Sequence, residues 1–501
     1  MPPLVLFNSL SRQPEAFRPI DPADVRVYTC GPTVYNDQHV GNMRAFLFAD
    51  TLIRTLRARA GAEGWGQVRH VINITDVGHL TSDADAGDDK MERAAAAAGR
   101  SIWDVAAHYT AGFKRDVARL GIVEPTVWAV ATDHIGEMID FAQAIAPAHC
   151  YRLPGGLYFD VGTVPDYGRL ARAGSEDGGE SRIDPVAGKR HLADFAIWRS
   201  SAADEHRQME WDSPWGRGAP GWHLECSVMS RRYLGSPFDI HTGGIDHREI
   251  HHPNEIAQNQ ARCDCADPGA TFWLHNNFLV ERQGTGGSGK MSKSSGAFTT
   301  LQSLVDRGIH PLGYRMMCLQ AHYRSELEFS WAGLAAALTR LRRLTHAVEG
   351  LRARAEGKGA ADAGAYREQL DAAMADDLNT PRALTVLEAM LADKTIAPGA
   401  RLAALADYDA VLGLDLMTLT REALRVRPAD AGMDERAIAE RLAERREARA
   451  ATDFARSDAI RESLHAAGVE VMDGDPLGWD WRLDAVARSD GDENAPPGRS
   501  A

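Results

Sequence analysis

Residues 24 to 76 read strand, turn, helix, strand, and that order leaves little choice of fold. "DVRVYTCG" (24–31) is a short β-branched run closed by glycine, "MRAFLFADTLIRTLRARA" (43–60) has the length and apolar spacing of a helix, and "QVRHVINITD" (67–76) is a second strand. Two strands joined through a helix pair in parallel, so the segment is one βαβ unit. Apolar runs at "FDIHTGG" (238–244) and "FWLHNNFLV" (272–280) lie either side of the helical "NEIAQNQA" and extend the same sheet. Between the two halves, residues 115–220 form a long insertion containing the glycine-rich "RAGSEDGGESR", which reads as a flexible loop. From about residue 300 the pattern turns helical and rich in Ala, Leu and Arg. The tail "RSDGDENAPPGRSA" has a disordered composition. The class is therefore α/β with a helical second half.

A chain of 501 residues exceeds one compact core and predicts three or four domains. Its 56 basic and 70 acidic side chains give a net charge of −14, which excludes a generally basic nucleic-acid coat but allows a local patch. Six scattered cysteines without a CxxC pair suit a reducing compartment and isolated ligands better than a disulfide framework. The start "MPPLVLFNSL" lacks a signal-peptide pattern and no apolar run reaches about eighteen residues, so a soluble cytoplasmic protein with no membrane partner is expected.

Three stretches carry chemistry. "GPTVYNDQHVGNMR" leads from the first strand into a helix N-terminus, where His39, Gly41 and Asn42 either cradle an anion or form an ordinary cap. "GTGGSGKMSKSSG" (284–296) nearly matches a phosphate loop, but Met291 stands where a magnesium-binding hydroxyl belongs. That leaves a mobile loop carrying Lys290 and Lys293, suited to closing over a polyphosphate, or a plain basic linker. "GGIDHREIHHPNEIAQ" (243–258) gathers three histidines and three carboxylates just after the isolated "LECS" (224–227), which is either a metal site or a solvated polar loop.

In this order, "YTCGPTVYNDQHVGN", "NITDVGHLTSDADAGDDKMERAA", "GWHLECS", "HHPNEIAQ", "KMSKS", "AHYRSELEFSW" and "DDLNTPRAL" resemble the cysteinyl-tRNA synthetase family of class I aminoacyl-tRNA synthetases, from about residue 5 to 483. The resemblance implies a Rossmann-like parallel-sheet catalytic domain with a connective insertion, followed by an all-α C-terminal bundle and a small anticodon-binding module. Its bounds would be 1–114 and 221–300 for the catalytic halves, 115–220 for the insertion, 301–350 for stem-contact helices, 351–439 for the bundle, 440–485 for the module and 486–501 for the tail.

The same resemblance implies that L-cysteine and ATP form cysteinyl-adenylate and pyrophosphate, and that the cysteinyl group then passes to cysteine tRNA. Zinc would be held by Cys30, Cys226, His251 and Glu255, with magnesium accompanying ATP. His39, Lys290 and Lys293 would act at the phosphate; Gly41, Asn42, Gly243, Gly244, Asp246 and Lys293 would bind ATP; Thr75, Trp222 and His241 would line the amino-acid pocket; Trp481 and Arg482 would contact the anticodon. The proline after the histidines departs from the family's FPHHENE run, so His247, Glu249 and His252 are rival ligands, and His251 is expected just before a helix that Pro253 opens. Cys263 and Cys265 read as ordinary thiols. HxGN replaces the commoner HIGH, and Ala297 replaces a usual asparagine. Competing readings are a ligase passing cysteine to an amino sugar and a noncatalytic RNA-binding paralogue. A monomer is expected.

Overall fold

The structure, a computed structural model, describes residues 1–78, 90–171, 187–201, 207–283, 287–290, 299–354, 362–483 and 486. The glycine-rich loop of the insertion, the terminal tail, Lys293 and most of the KMSKS stretch lie outside the described residues.

Five strands, β1 (Asp24–Thr29), β2 (Gln67–Ile74), β3 (Val127–Val130), β4 (Phe238–Gly244) and β5 (Ala270–Asn276), form one sheet in the order 3-2-1-4-5. Every neighbouring pair is parallel. Valine and isoleucine at alternate and successive positions suit strands covered on both faces, and Val25, Val27, Val71, Ile72 and Ile240 are buried. The first crossover is α1 (Val40–Glu63), whose Met43, Leu47, Leu52 and Leu56 pack on the sheet core. Beneath β1 the polar groups find each other: the Thr29 hydroxyl lies 2.8 Å from both His70 Nε2 and the Thr242 hydroxyl, linking β2, β1 and β4.

The separate antiparallel layer starts later than the expected boundary at 115. Val127–Val130 is β3, an edge strand of the central sheet, and the four-stranded layer runs from Cys150–Leu153 through Gly156–Phe159 and Phe195–Ser200 to Gly218–Pro220. α2 (Trp222–Leu234) leads out of that layer into β4, and α3 (His251–Cys263) joins β4 to β5. Strand Leu279–Gln283 pairs with Gly287–Lys290, which fixes the backbone of Lys290 opposite Val280.

The helical half begins with α4 (Pro311–Leu319) and the long helix Trp331–Arg352, and continues through Gly364–Ala375, α5 (Thr380–Ala392) and α6 (Pro398–Leu412). It is locked to α1 by a buried ion network: Asp50 accepts from Arg54 and from Arg315 of α4, while Arg315 Nε donates to the Leu412 carbonyl at 2.7 Å. A small module of helices Glu435–Ala450 and Phe454–Ala466 with the hairpin strands Val469–Val471 and Trp479–Trp481 closes the described chain, and its first helix starts before the expected boundary at 440. Among the described residues no helix is long and apolar enough to cross a membrane.

Candidate active site and metal centre

In a sheet of this order the strand direction of chain progression reverses between β1 and β4, and ligands collect outside the carboxyl ends of the strands there. Cys30 follows β1 directly and Gly243–Gly244 end β4, so both reach that crevice. A cavity of about 260 Å³ opens at it, walled by Cys30, His39, Gly41, Asn42, Trp222, Gly244, Asp246, His247 and the turn Asn276–Leu279. α1 points its N-terminus into this space. His39 caps the helix by accepting from the Asn42 N–H at 3.2 Å, and a side chain on Gly41 would sit 2.9 Å from that imidazole, so only glycine leaves the ring its place. The first-turn N–H groups and the helix dipole favour a negatively charged group beside His39.

Behind the cavity lies a buried cluster. Cys226 comes from the second turn of α2, and His251 and Glu255 from the first turns of α3. His251 opens that helix instead of preceding it, because Pro253 sits in the first turn, where a missing N–H costs no intrahelical bond. His251 and Glu255 thus share one helix face, with Nε2 and Oε1 2.9 Å apart. Cys30 Sγ lies 4.0 Å from Cys226 Sγ and 3.9 Å from Glu255 Oε1. A tetrahedral ion with Zn–S of ~2.3 Å and Zn–N or Zn–O of ~2.0–2.2 Å needs ligand separations of roughly 3.4–3.8 Å, so the donor set closes around such an ion with shifts of a few tenths of an ångström.

Two sets of four bring their ligand atoms within 4.8 Å of one another among the described residues: Cys30, Cys226, His251 and Glu255, and Cys30, His241, His252 and Glu255. The rival His252 approaches Cys30 Sγ at 3.4 Å and is itself backed by His275 at 2.8 Å. Of the other rivals, His247 walls the cavity and Glu249 is exposed, and neither belongs to a set. Within the cluster the charged groups hold one another. A hydrogen bond with Cys30, helped by His251, holds the Cys226 thiol down to about 6 against burial. Burial, then the hydrogen bond and charge of Cys226, drive Cys30 well above the thiol range. Burial opposes an imidazolium at His251, but Glu255 and Cys226 outweigh it and push the group up to about 10. Burial likewise opposes the Glu255 carboxylate, yet His241 and His251 hold it at about 2.

Comparison with known proteins shows the family. Residues 16–339 match the family described as tRNA synthetases class I (C) catalytic domain. A cysteine–tRNA ligase from Novosphingobium aromaticivorans is 61% identical over 491 residues, 96% of this chain and 97% of that one. The chain belongs to the cysteinyl-tRNA synthetase family. The cysteine–tRNA ligase of Zymomonas mobilis is 52% identical over 516 residues, covering 96% and 98% of the two chains. Among solved structures, the Mycobacterium tuberculosis methionyl-tRNA synthetase in complex with methionyl-adenylate superposes with a TM-score of 0.52 at 13% identity, covering 80% of this chain and 93% of that one. A LeuRS–tRNA–LeuAMS ternary complex from Agrobacterium radiobacter gives 0.52 at 13% identity, with 84% and 88% covered. These two likenesses concern the fold alone.

In this cysteinyl-tRNA synthetase family member, His39, Gly41, Asn42, Trp222, Gly244 and Asp246 reach the cavity wall. Gly243 sits just behind, where a side chain would come within 2.7 Å of the His247 and His252 rings. Thr75 and His241 are buried and do not line the cavity; His241 Nε2 lies 3.0 Å from Glu255 Oε2. Sequence reasoning missed His223, whose Nδ1 lies 2.8 Å from His251 Nδ1, and the Asn276–Leu279 turn. The position of His223 three residues before Cys226 in one helix was the available signal.

Two readings need correction. Cys263 and Cys265 are not free thiols but are bonded to each other, because Asp264 takes a left-handed turn (φ 49°) at the end of α3 and folds the two side chains together. Trp481 is not exposed. Residues two apart on a strand share a face, and Trp479 and Trp481 both turn inward onto Ile438, Ile460 and Leu464. Arg445 is also committed, gripping Asp473 with two bonds of 2.6 and 2.7 Å.

Proposed function

We propose that this chain is a cysteine–tRNA ligase: it activates L-cysteine with ATP, releasing pyrophosphate, and transfers cysteine from the cysteinyl-adenylate to the 3′ end of cysteine tRNA. The observation that carries the reading is the thiol, imidazole and carboxylate cluster opening at Cys30 into a cavity capped by His39 and the α1 N-terminus. Relatives named for the same activity match over nearly the whole chain.

The cluster fits zinc, held by Cys30, Cys226, His251 and Glu255, since two sulfurs, an imidazole and a carboxylate are zinc's preferred donors and lie within 4.8 Å of one another. Bound there, zinc supplies a soft Lewis-acid position that favours a substrate thiolate over a serine hydroxyl. The several kcal/mol at stake exceed the roughly 1–3 kcal/mol available from a one-methylene difference in shape, so no editing site is needed.

The residues of the chain do the rest. Trp222 walls the amino-acid side of the cavity and stacks on His251 with centroids 4.1 Å apart, while His241 bonds Glu255 at 3.0 Å and Thr75 stays buried off the cavity wall. Gly243 and Gly244 let the adenosine approach the end of β4, with Asp246 at the ribose. His39, Asn42 and the α1 N-terminus stabilise charge developing at the α-phosphate, and Lys290 and Lys293 neutralise the departing pyrophosphate, whose magnesium arrives with ATP. For the tRNA, Arg482 stands at the rim of an open groove between the Trp331–Arg352 helix and the C-terminal module, where it can meet anticodon phosphates or bases. Trp481 shapes that surface from the core. We read the protein as a cytoplasmic monomer.

Charging of a cysteine tRNA transcript with labelled cysteine, with serine as competitor, tests the proposal. Cysteine-specific charging is expected. Adenylate formation without charging, with cysteine passed instead to the amine of an amino sugar, would overturn it.

A further inference from the structure

One of the connections between the cavity wall and the helical bundle is a short loop, residues 322–325. On the catalytic side, buried Arg44 of α1 donates to the carbonyls of Asn277 at 2.9 Å and of Phe278, both in the cavity wall, and to those of Ser325 at 2.6 Å and His322 at 3.4 Å. The Asn277 N–H donates to the Tyr323 carbonyl at 2.8 Å, and its side-chain amide to the Arg324 carbonyl at 3.1 Å. These bonds tie the loop to the cavity wall.

On the bundle side the same loop ends on a single carboxylate. Asp377 Oδ1 accepts from the Tyr323 hydroxyl at 2.6 Å and from the Phe7 N–H at 2.9 Å, and Oδ2 accepts from Arg324 Nε at 2.6 Å. Its own N–H donates to the Val5 carbonyl at 3.0 Å. Asp377 and Leu378 are consecutive left-handed residues, φ 50° and 56°, immediately before α5. Such backbone is costly for side chains other than glycine, and it persists where the surroundings over-determine it and where the strain serves a purpose. Here the turn aims one carboxylate at two other segments of the chain, the 322–325 loop and the N-terminal strand at Phe7.

We infer that Asp377 is a positioning residue that registers the helical bundle against the cavity wall, so that a tRNA carried by the bundle brings its 3′ end to the activated amino acid. This rests on the tRNA-charging reading above. Activation of cysteine needs only the cavity, whereas transfer needs the two halves in register, and a misplacement of about 1 Å far from the chemistry can cost roughly 10²-fold. Asp377 thus acts through Tyr323, Arg324 and the Asn276–Leu279 turn, without touching substrate.

The experiment compares cysteine-dependent pyrophosphate exchange with tRNA charging for the wild-type chain and Asp377→Asn, each normalised to active sites by the adenylate burst. Asp377→Asn should lower kcat for charging by roughly 10- to 100-fold, with exchange held within about twofold and the tRNA KM within about threefold of wild type. Equal loss of both activities would mark a merely structural role and overturn the inference, as would no loss or a change in tRNA KM alone. If Asp377→Asn does not fold, Tyr323→Phe removes one hydroxyl and carries the test: a selective loss of charging supports the joint, and wild-type charging refutes it. A wild-type chain that activates cysteine but charges no tRNA would refute the underlying reading instead.

Discussion

His70 sits at the centre of the sheet with its ring on the Thr29 hydroxyl, and burial, aided by the positive charge of Arg57, lowers it to about 3 against the opposing pull of Asp50. An unfolded histidine protonates near ~6.5, so between about 6.5 and about 3 the unfolded chain holds the extra proton and stability falls as pH falls. The slope from this residue approaches ~1.4 kcal/mol per pH unit. Thermal midpoints taken from pH 7 to pH 4 should decline less steeply in His70→Gln than in wild type; parallel declines would show that His70 titrates normally. A second residue, His223, holds His251 from behind through the 2.8 Å contact of their Nδ1 atoms. Outer partners of metal-ligating histidines are worth roughly 10- to 100-fold in metal affinity, so His223→Phe should release zinc to a chelator at correspondingly lower concentration. Unchanged chelator competition would indicate that His241 and His252 hold the ion instead.

Among the elements, α1 carries both the cavity cap and the buried Asp50. Burial disfavours that carboxylate, but Arg315 and Arg54 outweigh it and hold it below the usual carboxylate range. Its contribution is complete above the unfolded value of ~3.9 and is lost as pH falls through the lower folded value. Asp50→Asn leaves the fully buried Arg315 without its partner and should cost about 3–5 kcal/mol, read as a lower thermal midpoint at pH 7. A midpoint unmoved by the substitution would mean that the carbonyls around Arg315 suffice. The β1–α1–β2 unit was legible because its apolar runs and the intervening turn all favour one topology. β3 was not, since four residues carry no period of their own and only pairing with β2 makes them a strand. Cys30, Cys226, His251 and Glu255 were legible as a set through family resemblance, while their assembly depends on α2 and α3 packing side by side, which no local pattern encodes. His251 was misplaced by one helix position because proline is tolerated anywhere in the first turn, not only at its first residue. Trp481 misled because an isolated tryptophan looks the same in sequence whether it stacks on a base or fills a core.

Across the whole molecule, the candidate catalytic cavity and the groove proposed to meet the anticodon are built from different residues. The C-terminal module has its own small core and touches the bundle through Arg342–Asp480 at 2.9 Å and Arg421–Asp475 at 2.8 Å. A cut at residue 440 would split its first helix, so removal of residues 433–501 is the cleaner truncation. That chain should keep cysteine-dependent pyrophosphate exchange while charging falls at least about tenfold, or ~1.4 kcal/mol; equal charging by the truncated and full chains would remove the module from tRNA recognition. The proposed zinc site at Cys30, Cys226, His251 and Glu255 underlies the whole reading. Metal content and cysteine-dependent pyrophosphate exchange, measured side by side for the wild-type chain and Cys226→Ala, test it most directly. About one zinc per wild-type chain is expected, with Cys226→Ala losing both the metal and at least about 10²-fold in exchange rate; a Cys226→Ala chain that retains its zinc and activates cysteine at the wild-type rate would refute the zinc site.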